Sequence, residues 1–154
     1  MIKIRRYSES DIPALWEIFY YTIRNINIRD YSRAQVEAWA PDNFDQAIWQ
    51  RKMHSIAPYV AVLDGEIVGY TDLQDDGLID HFFCHHQYQG RGIGKLMMEH
   101  VFAQGKLRGI SKFHSEVSIT ARPFYEKQSF CIVEEQVVNV RGQKLRNFLM
   151  ESHQ

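Results

Sequence analysis

The chain has 154 residues, of which 45% are hydrophobic and 13% aromatic, the size and apolar content of one domain, 1–154, with its own core. Lys and Arg (18) nearly balance Asp and Glu (19), so neither a basic field for nucleic acid nor an acidic tail is present, and a small-molecule partner is expected. No run of 18 apolar residues occurs and Cys84 lies far from Cys131, which points to a soluble, cytoplasmic protein with no membrane contact and no disulfide framework.

Apolar and basic residues alternate over Ile2–Arg6, predicting a strand, and Ser8, Ser10 and Asp11 then offer caps to a helix that opens at Ile12-Pro13. Residues 31–39 carry apolar positions at helical spacing and stop before Ala40-Pro41, and 45–54 reads as another short helix. Tyr59–Leu63, the turn Asp64-Gly65 and Glu66–Thr71 predict a hairpin, because Asp-Gly accepts positive φ between two β-rich runs. A further strand is expected over 78–84. Ile93, Leu96, Met97, Val101 and Phe102 place a helix over 92–107, with Gly105 and Gly109 as stop signals. Residues 112–117 alternate like a strand, 121–127 form a short helix, and 131–140 and 144–150 flank Arg141-Gly142 in a closing hairpin. Strands and helices are mixed throughout, so the class is α/β or α+β.

Between a predicted strand and a predicted helix stands Gln89-Gly90-Arg91-Gly92-Ile93-Gly94-Lys95. Backbone N–H groups and a helix N-terminus can converge there on one anion, which suits a pyrophosphate, and Arg91 and Lys95 add positive charge at the rim. Glycine permits the close backbone approach that a Cβ would block. Spacing alone leaves an ordinary strand-to-helix loop open. A nucleotide P-loop would need glycine where Gln89 stands and Ser or Thr where Leu96 stands, and the dinucleotide fingerprint would need glycine where Lys95 stands.

The pattern that fits is Q-x-x-G-x-G, and Gln89-Gly90-Arg91-Gly92-Ile93-Gly94 resembles the acetyl-CoA loop of GNAT-type N-acetyltransferases. Downstream, Ala121, then Phe124-Tyr125-Glu126-Lys127, then Ser129-Phe130 resembles the second motif of that family, in the same order and separation. With the two hairpins, the resemblance covers nearly the whole chain, and Gln35-Val36-Glu37-Ala38-Trp39-Ala40-Pro41 is similar to one bacterial branch of the family. Two residues depart from the pattern: Ser129 stands where glycine is usual, and Ser118 where an asparagine often contacts the cofactor. The first bears on a turn and the second on one hydrogen bond.

The resemblance implies a GNAT-like α/β fold, with a central mixed, mostly antiparallel sheet splayed beside the glycine loop and flanked by helices. It implies an N-acetyltransferase that moves an acetyl group from acetyl-CoA, its cosubstrate, to a primary amine by direct attack in a ternary complex. The alternative is a non-catalytic acyl-CoA-binding or regulatory module of the same fold, and Tyr125 discriminates, because a pure binder needs no acid. Gln89, Gly90, Arg91, Gly92, Ile93, Gly94, Lys95 and Ser118 would hold the cofactor, whose pantetheine arm would pair with the edge of the strand ending at Cys84. The thioester carbonyl would meet a backbone N–H near Phe82 or Phe83. Tyr125 would protonate the leaving thiolate, and Asp80, on the face of Phe82 and Cys84 by alternation, would be the base, with Glu116 second. For either carboxylate a solvated or salt-bridged surface role stays open. Trp39 is the expected acceptor contact; Trp16, Phe19, Tyr20 and Trp49 could join it, although helical spacing favours the core for Trp16 and Phe19. His81, Cys84, His85 and His86 cluster, but zinc would need a second, separated ligand pair that the sequence lacks, so no metal is expected. Partners are then a small-molecule or peptide amine, and the resemblance leaves a homodimer open.

Overall fold

In the computed structural model, which describes residues 1–154, seven strands divide into two antiparallel sheets. The first holds β1 (Ile2–Arg6), β2 (Tyr59–Leu63), β3 (Glu66–Thr71) and β4 (Phe82–Cys84) in that order. In the second, β5 (Lys112–Ser118) and β6 (Cys131–Val140) lie on either side of β7 (Gln143–His153). One parallel bridge, Leu78 with His114, joins the sheets: Ile79 N–H donates to His114 C=O at 2.9 Å, and His114 N–H to Gly77 C=O at 3.0 Å. Past this bridge β4 and β5 part, which is the expected splay in a mixed, mostly antiparallel arrangement.

Local chemistry explains most boundaries. Asp64 and Gly65 both have positive φ (51° and 81°), as a two-residue hairpin turn of matching twist requires. Helix α1 (Ile12–Asn25) begins with Pro13 in its first turn, and Asp11 just before it accepts from Ser8 N–H at 2.7 Å and pairs with Arg5 at 2.7 Å. The Arg5 guanidinium holds the Asp11 carboxyl below the usual carboxylate range, so this pair pins β1 to the start of α1. Helix α2 (Arg33–Trp39) starts with a reciprocal Ser32–Gln35 capping box, and α3 (Gln46–Ile56) with Asp45 Oδ1 accepting from Ala47 N–H at 2.9 Å.

Helix α1 buries Leu15, Ile18 and Ile23 against Val60 and Tyr70. Helix α4 (Ile93–Leu107) touches both sheets, with Ile93 and Met97 against Ala61 and Val68, and Met98 and Val101 among Ile79, Phe113 and Met150. Each such side chain contributes roughly 1.5–3 kcal/mol on burial, so α4 is fixed as a wedge whose N-terminus lies at the mouth of the splay. Gly105, expected as a stop signal, is instead an interior residue of α4, where an added Cβ would come within 2.3 Å of the Phe113 ring. The stop is Gly109 alone, at φ 73°, with Ile110 N–H reaching back to Gly105 C=O. Helix α5 (Arg122–Lys127) ends in the same way on Ser129, held at φ 72°.

The strand expected over 78–84 shrinks to Phe82–Cys84. The buried Asp72 carboxylate accepts from Asp80 N–H at 3.1 Å and His81 N–H at 2.6 Å, and Thr71 Oγ1 donates to His81 C=O at 2.8 Å. Side chains thus take up the backbone groups that a ladder would have used, and Asp80 sits in a loop. Its assignment to the face of Phe82 and Cys84 by alternation therefore fails.

Candidate active site

The splay opens a cavity of about 970 Å³ between β4 and β5, with the glycine loop at one end and α1 along one side. Register decides which β4 groups face it. His85 N–H donates to Val68 C=O, so by alternation Phe83 exchanges both its bonds with Tyr70, while Phe82 and Cys84 turn their backbone groups away from β3. Cys84 C=O is capped by Thr22 Oγ1 and Gln89 Nε2, both at 2.9 Å. The unengaged β4 donors facing the cleft are therefore Phe82 N–H and Cys84 N–H; of the two expected positions, Phe83 has its N–H in the sheet.

In the loop, Gly90 and Gly92 have φ of 74° and 80°, conformations that side chains with a Cβ rarely adopt. None of the N–H groups of residues 90–95 has an acceptor within the protein, and Leu96 is the first residue to bond back, to Gly92 C=O. This places a row of donors beside a helix start. Gln89 ties the loop to the end of β4 through its side chain, so its role is to brace it. Arg91 lies 4.8 Å over the Tyr88 ring, whose hydroxyl is held by Glu66 at 2.6 Å, and Lys95 stands free at the helix start. Gly94 has its own reason: a Cβ there would lie 3.1 Å from the Phe124 ring.

Tyr125 enters the same cavity from α5, between Phe82 and Phe130. Ser115 Oγ donates to Ile79 C=O at 2.7 Å, which leaves it able to accept from the Tyr125 hydroxyl, 3.4 Å away. That bond is long, so the phenol proton is loosely held. Burial pushes the Tyr125 pKa up, so the phenol is protonated at neutral pH. Cys84 shares the cavity wall, and burial pushes its thiol up to about 12, which disfavours the thiolate that a nucleophile needs.

Asp80 also borders the cavity, a third exposed, with Lys52 Nζ 2.6 Å from Oδ2. Beside it lies a buried polar group that sequence patterning missed. Asp72, with no exposed surface, has its pKa raised to about 6 by burial, against the opposing pull of the N–H groups it accepts. His81, half-buried among Phe19, Trp49 and Phe83, is pushed down to about 4 by burial, and its Nδ1 lies 2.9 Å from the Tyr70 hydroxyl. No sequence signal marks Asp72 as different from an exposed loop aspartate. Thr22 and Asn27 were missed too, although both are polar residues on the apolar side of the first helical region, which is a usable signal.

Ser118 ends β5 with Oγ accepting from Ala121 N–H at 3.0 Å and from Asn27 Nδ2 at 3.4 Å, so it braces the turn into α5 at the edge of the cavity. Glu116 lies on the opposite wall, exposed and without a salt bridge. Trp39 borders the cavity, edge-on to Tyr31. Tyr31 in turn donates to Arg146 C=O at 2.6 Å and accepts from Ile119 N–H at 2.9 Å, tying the helical segment to β5 and β7. Trp49 and Phe19 are core residues; Trp16 is half-buried against Phe44 and Tyr20. No group of three His, Cys, Asp or Glu side chains converges, and His85 and His86 simply stack at 4.8 Å. No helix is long and apolar enough to cross a membrane.

Residues 27–151 match the family model of the acetyltransferase (GNAT) domain. A relative from Escherichia coli strain K12, described as the uncharacterized N-acetyltransferase YafP, is 30% identical over 149 residues, which is 97% of this chain and 94% of that one. The crystal structure of a GCN5-related N-acetyltransferase from Rhodopseudomonas palustris superposes with a TM-score of 0.94 at 26% identity, covering 99% of this chain and 95% of that one. A Thermoplasma acidophilum PaiA N-acetyltransferase solved in complex with coenzyme A shares the fold, with a TM-score of 0.76 at 18% identity over 100% and 99% of the two chains.

Proposed function

Because the chain belongs to the GNAT acetyltransferase family, we propose that it transfers the acetyl group of acetyl-CoA to a primary amine by direct attack within a ternary complex. The observation that carries this reading is the convergence, in one cleft, of the unbonded N–H groups of residues 90–95, the free Phe82 N–H and the Tyr125 hydroxyl. The loop donors suit a pyrophosphate at the helix start, with Arg91 and Lys95 adding charge, and Ser118 closes the far wall. The exposed edge of β4 suits an amide-bearing arm that pairs as an added strand.

The amine nitrogen forms its bond to the thioester carbon, and the oxyanion that develops is met by Phe82 N–H. The C–S bond then breaks, Tyr125 gives its proton to the leaving sulfur, and the proton that the nitrogen sheds as the amide forms restores the phenol. A lysine-like ammonium, pKa about 10.4, must first lose a proton, a handicap of ~4–5 kcal/mol at pH 7. Asp80 is the base in this reading, directly or through a water, with Lys52 orienting its carboxylate; Glu116 is the second choice. Such an enzyme would act in the cytoplasm on a small-molecule or peptide amine.

The test is thermal stability with acetyl-CoA, CoA, ATP or NADH added separately. Ligand at a hundred times its dissociation constant adds about 2.7 kcal/mol, hence roughly 5–10 °C in a domain of this size. A rise with acetyl-CoA and CoA alone supports the reading; no rise at saturating CoA sinks it.

A further inference from the structure

A second cavity of about 260 Å³ opens beside the cleft and shares Phe19, Trp39 and His81 with it. Its walls are rings: Trp16 stacks on Phe44 at 5.2 Å, Phe19 on Trp49 at 5.0 Å, and Trp16 meets Trp49 edge-on at 5.1 Å. Small-molecule sites run from about 300 to 1,000 Å³, so this one has room for a single ring rather than a peptide or a nucleotide. The uncharged interior is completed by His81. The Tyr70 hydroxyl is fully buried and has His81 Nδ1 as its one partner, so the phenol donates and His81 presents Nε2–H.

The two charged residues on the border of this cavity, Lys52 and Arg141, are both cationic, and neither borders the larger cleft. Lys52 is engaged with Asp80. Arg141 has no carboxylate partner: Nη1 donates to Ala38 C=O at 2.8 Å, and the guanidinium lies 5.0 Å over the Phe44 ring. Its backbone is equally telling. Arg141 and Gly142 form the β6–β7 turn with φ of 46° and 86°, and the first of these positions favours Asn, Asp or Gly. An arginine is therefore held against local preference, with a free cationic edge at a ring-lined cavity.

We infer that the amine acceptor is aromatic and carries a carboxylate remote from its amine, with the ring among Trp16, Phe19, Phe44 and Trp49 and the carboxylate on Arg141. The amine then extends past Trp39 into the cleft toward Asp80. The inference rests on the acetyltransferase reading and deepens it. A cationic ring substituent is disfavoured, because the charged residues lining this cavity, Lys52 and Arg141, are both cationic.

The experiment compares 4-(aminomethyl)benzoate with benzylamine as acceptors, following CoA thiol release, once acetyl-CoA binding has been established by thermal shift. The carboxylated amine should show a kcat/KM at least about ten-fold higher. Arg141→Asn places a favoured residue in the turn, so the fold is kept, and it should raise KM for 4-(aminomethyl)benzoate about ten-fold and bring the ratio of the two acceptors near one. Arg141→Lys should restore part of the preference. Equal use of both amines by the wild type, or an unchanged ratio in Arg141→Asn, overturns the inference. So does failure to acetylate either amine in a protein that binds acetyl-CoA, an outcome that leaves the acetyltransferase reading standing. Failure to bind acetyl-CoA removes that reading itself and the acceptor inference with it.

Discussion

At the end of the cleft where α4 begins, the groups left free for a ligand are main chain: the N–H groups of residues 90–95 and of Phe82, shaped by positive φ at Gly90 and Gly92. At the end beneath α1 and α3 the surroundings are side chains: stacked rings, the buried Asp72, His81 and the unpaired Arg141. A backbone site depends on a few glycines and tolerates drift elsewhere, whereas a side-chain site changes with every ring. On the proposed reading, this difference lets one fold keep its cofactor while acceptors vary.

Tyr125 stands between the two ends, and its removal has the largest expected effect. Tyr125→Phe keeps the ring packed against Phe82 and Phe130 but removes the acid, so kcat should fall about 10²–10⁴-fold with little change in acetyl-CoA affinity. Steady-state kinetics beside a CoA-binding measurement checks this; a variant that loses binding and rate together would show that Tyr125 only packs.

The side-chain end should next reveal itself in the pH dependence of stability. Asp72, at about 6 in the fold against ~3.9 unfolded, binds an extra native proton between those values, so its contribution is lost as pH rises from about 4 to 6, roughly 2–3 kcal/mol. His81, at about 4 against ~6.5 unfolded, has the opposite sign, and stability is gained as pH rises through that window. The two slopes oppose, and His85 and His100, whose pKa values burial also lowers, add to the rising one. Asp72→Asn should steepen the rise with pH and His81→Gln should flatten it in urea denaturation at stepped pH; parallel curves for both variants would contradict the assignment.

The backbone end is probed by Gly92→Val. A β-branched residue at φ 80° costs about 1–2 kcal/mol and crowds the donor row, so CoA affinity should drop about ten-fold or more while the amine KM is nearly unaffected. Equal loss at both ends would mean that the two halves are coupled through α4. The smallest effect belongs to Ser129→Gly, which relieves a left-handed serine in the α5 cap and should stabilise by about 0.5–1 kcal/mol, raising Tm by ~1–4 °C without touching kinetics.

The same contrast explains what could be read from the residues alone. Alternation, helical periodicity and turn signals located the seven strands and the five α-helices, and the spacing of the glycines marked the loop. Gly105 was misread because its cause is a distant ring, Phe113, which no local pattern announces. The 78–84 strand was overextended for a similar reason: Asp72, six residues upstream of Leu78, takes the N–H groups of Asp80 and His81. Tyr125 and the loop residues came from motif order, whereas Asp72 and the place of Arg141 arise from tertiary closure between segments far apart in sequence. Asp80 was named as a base on strand alternation that the fold does not provide, and what keeps it in view is its position on the cavity wall.

The Leu78–His114 bridge makes the two sheets resemble plates riveted at one corner. Beyond the rivet α1, α4 and the helical segment that Tyr31 ties to β7 set the angle between them, and a molecule that hydrogen-bonds to β4 within the wedge acts as a keystone. Amide hydrogen exchange at Phe82 should therefore slow on CoA binding far more than at Tyr70, which is already locked inside the first sheet. On the proposed reading, the acceptor then meets a stiffer protein than the free chain.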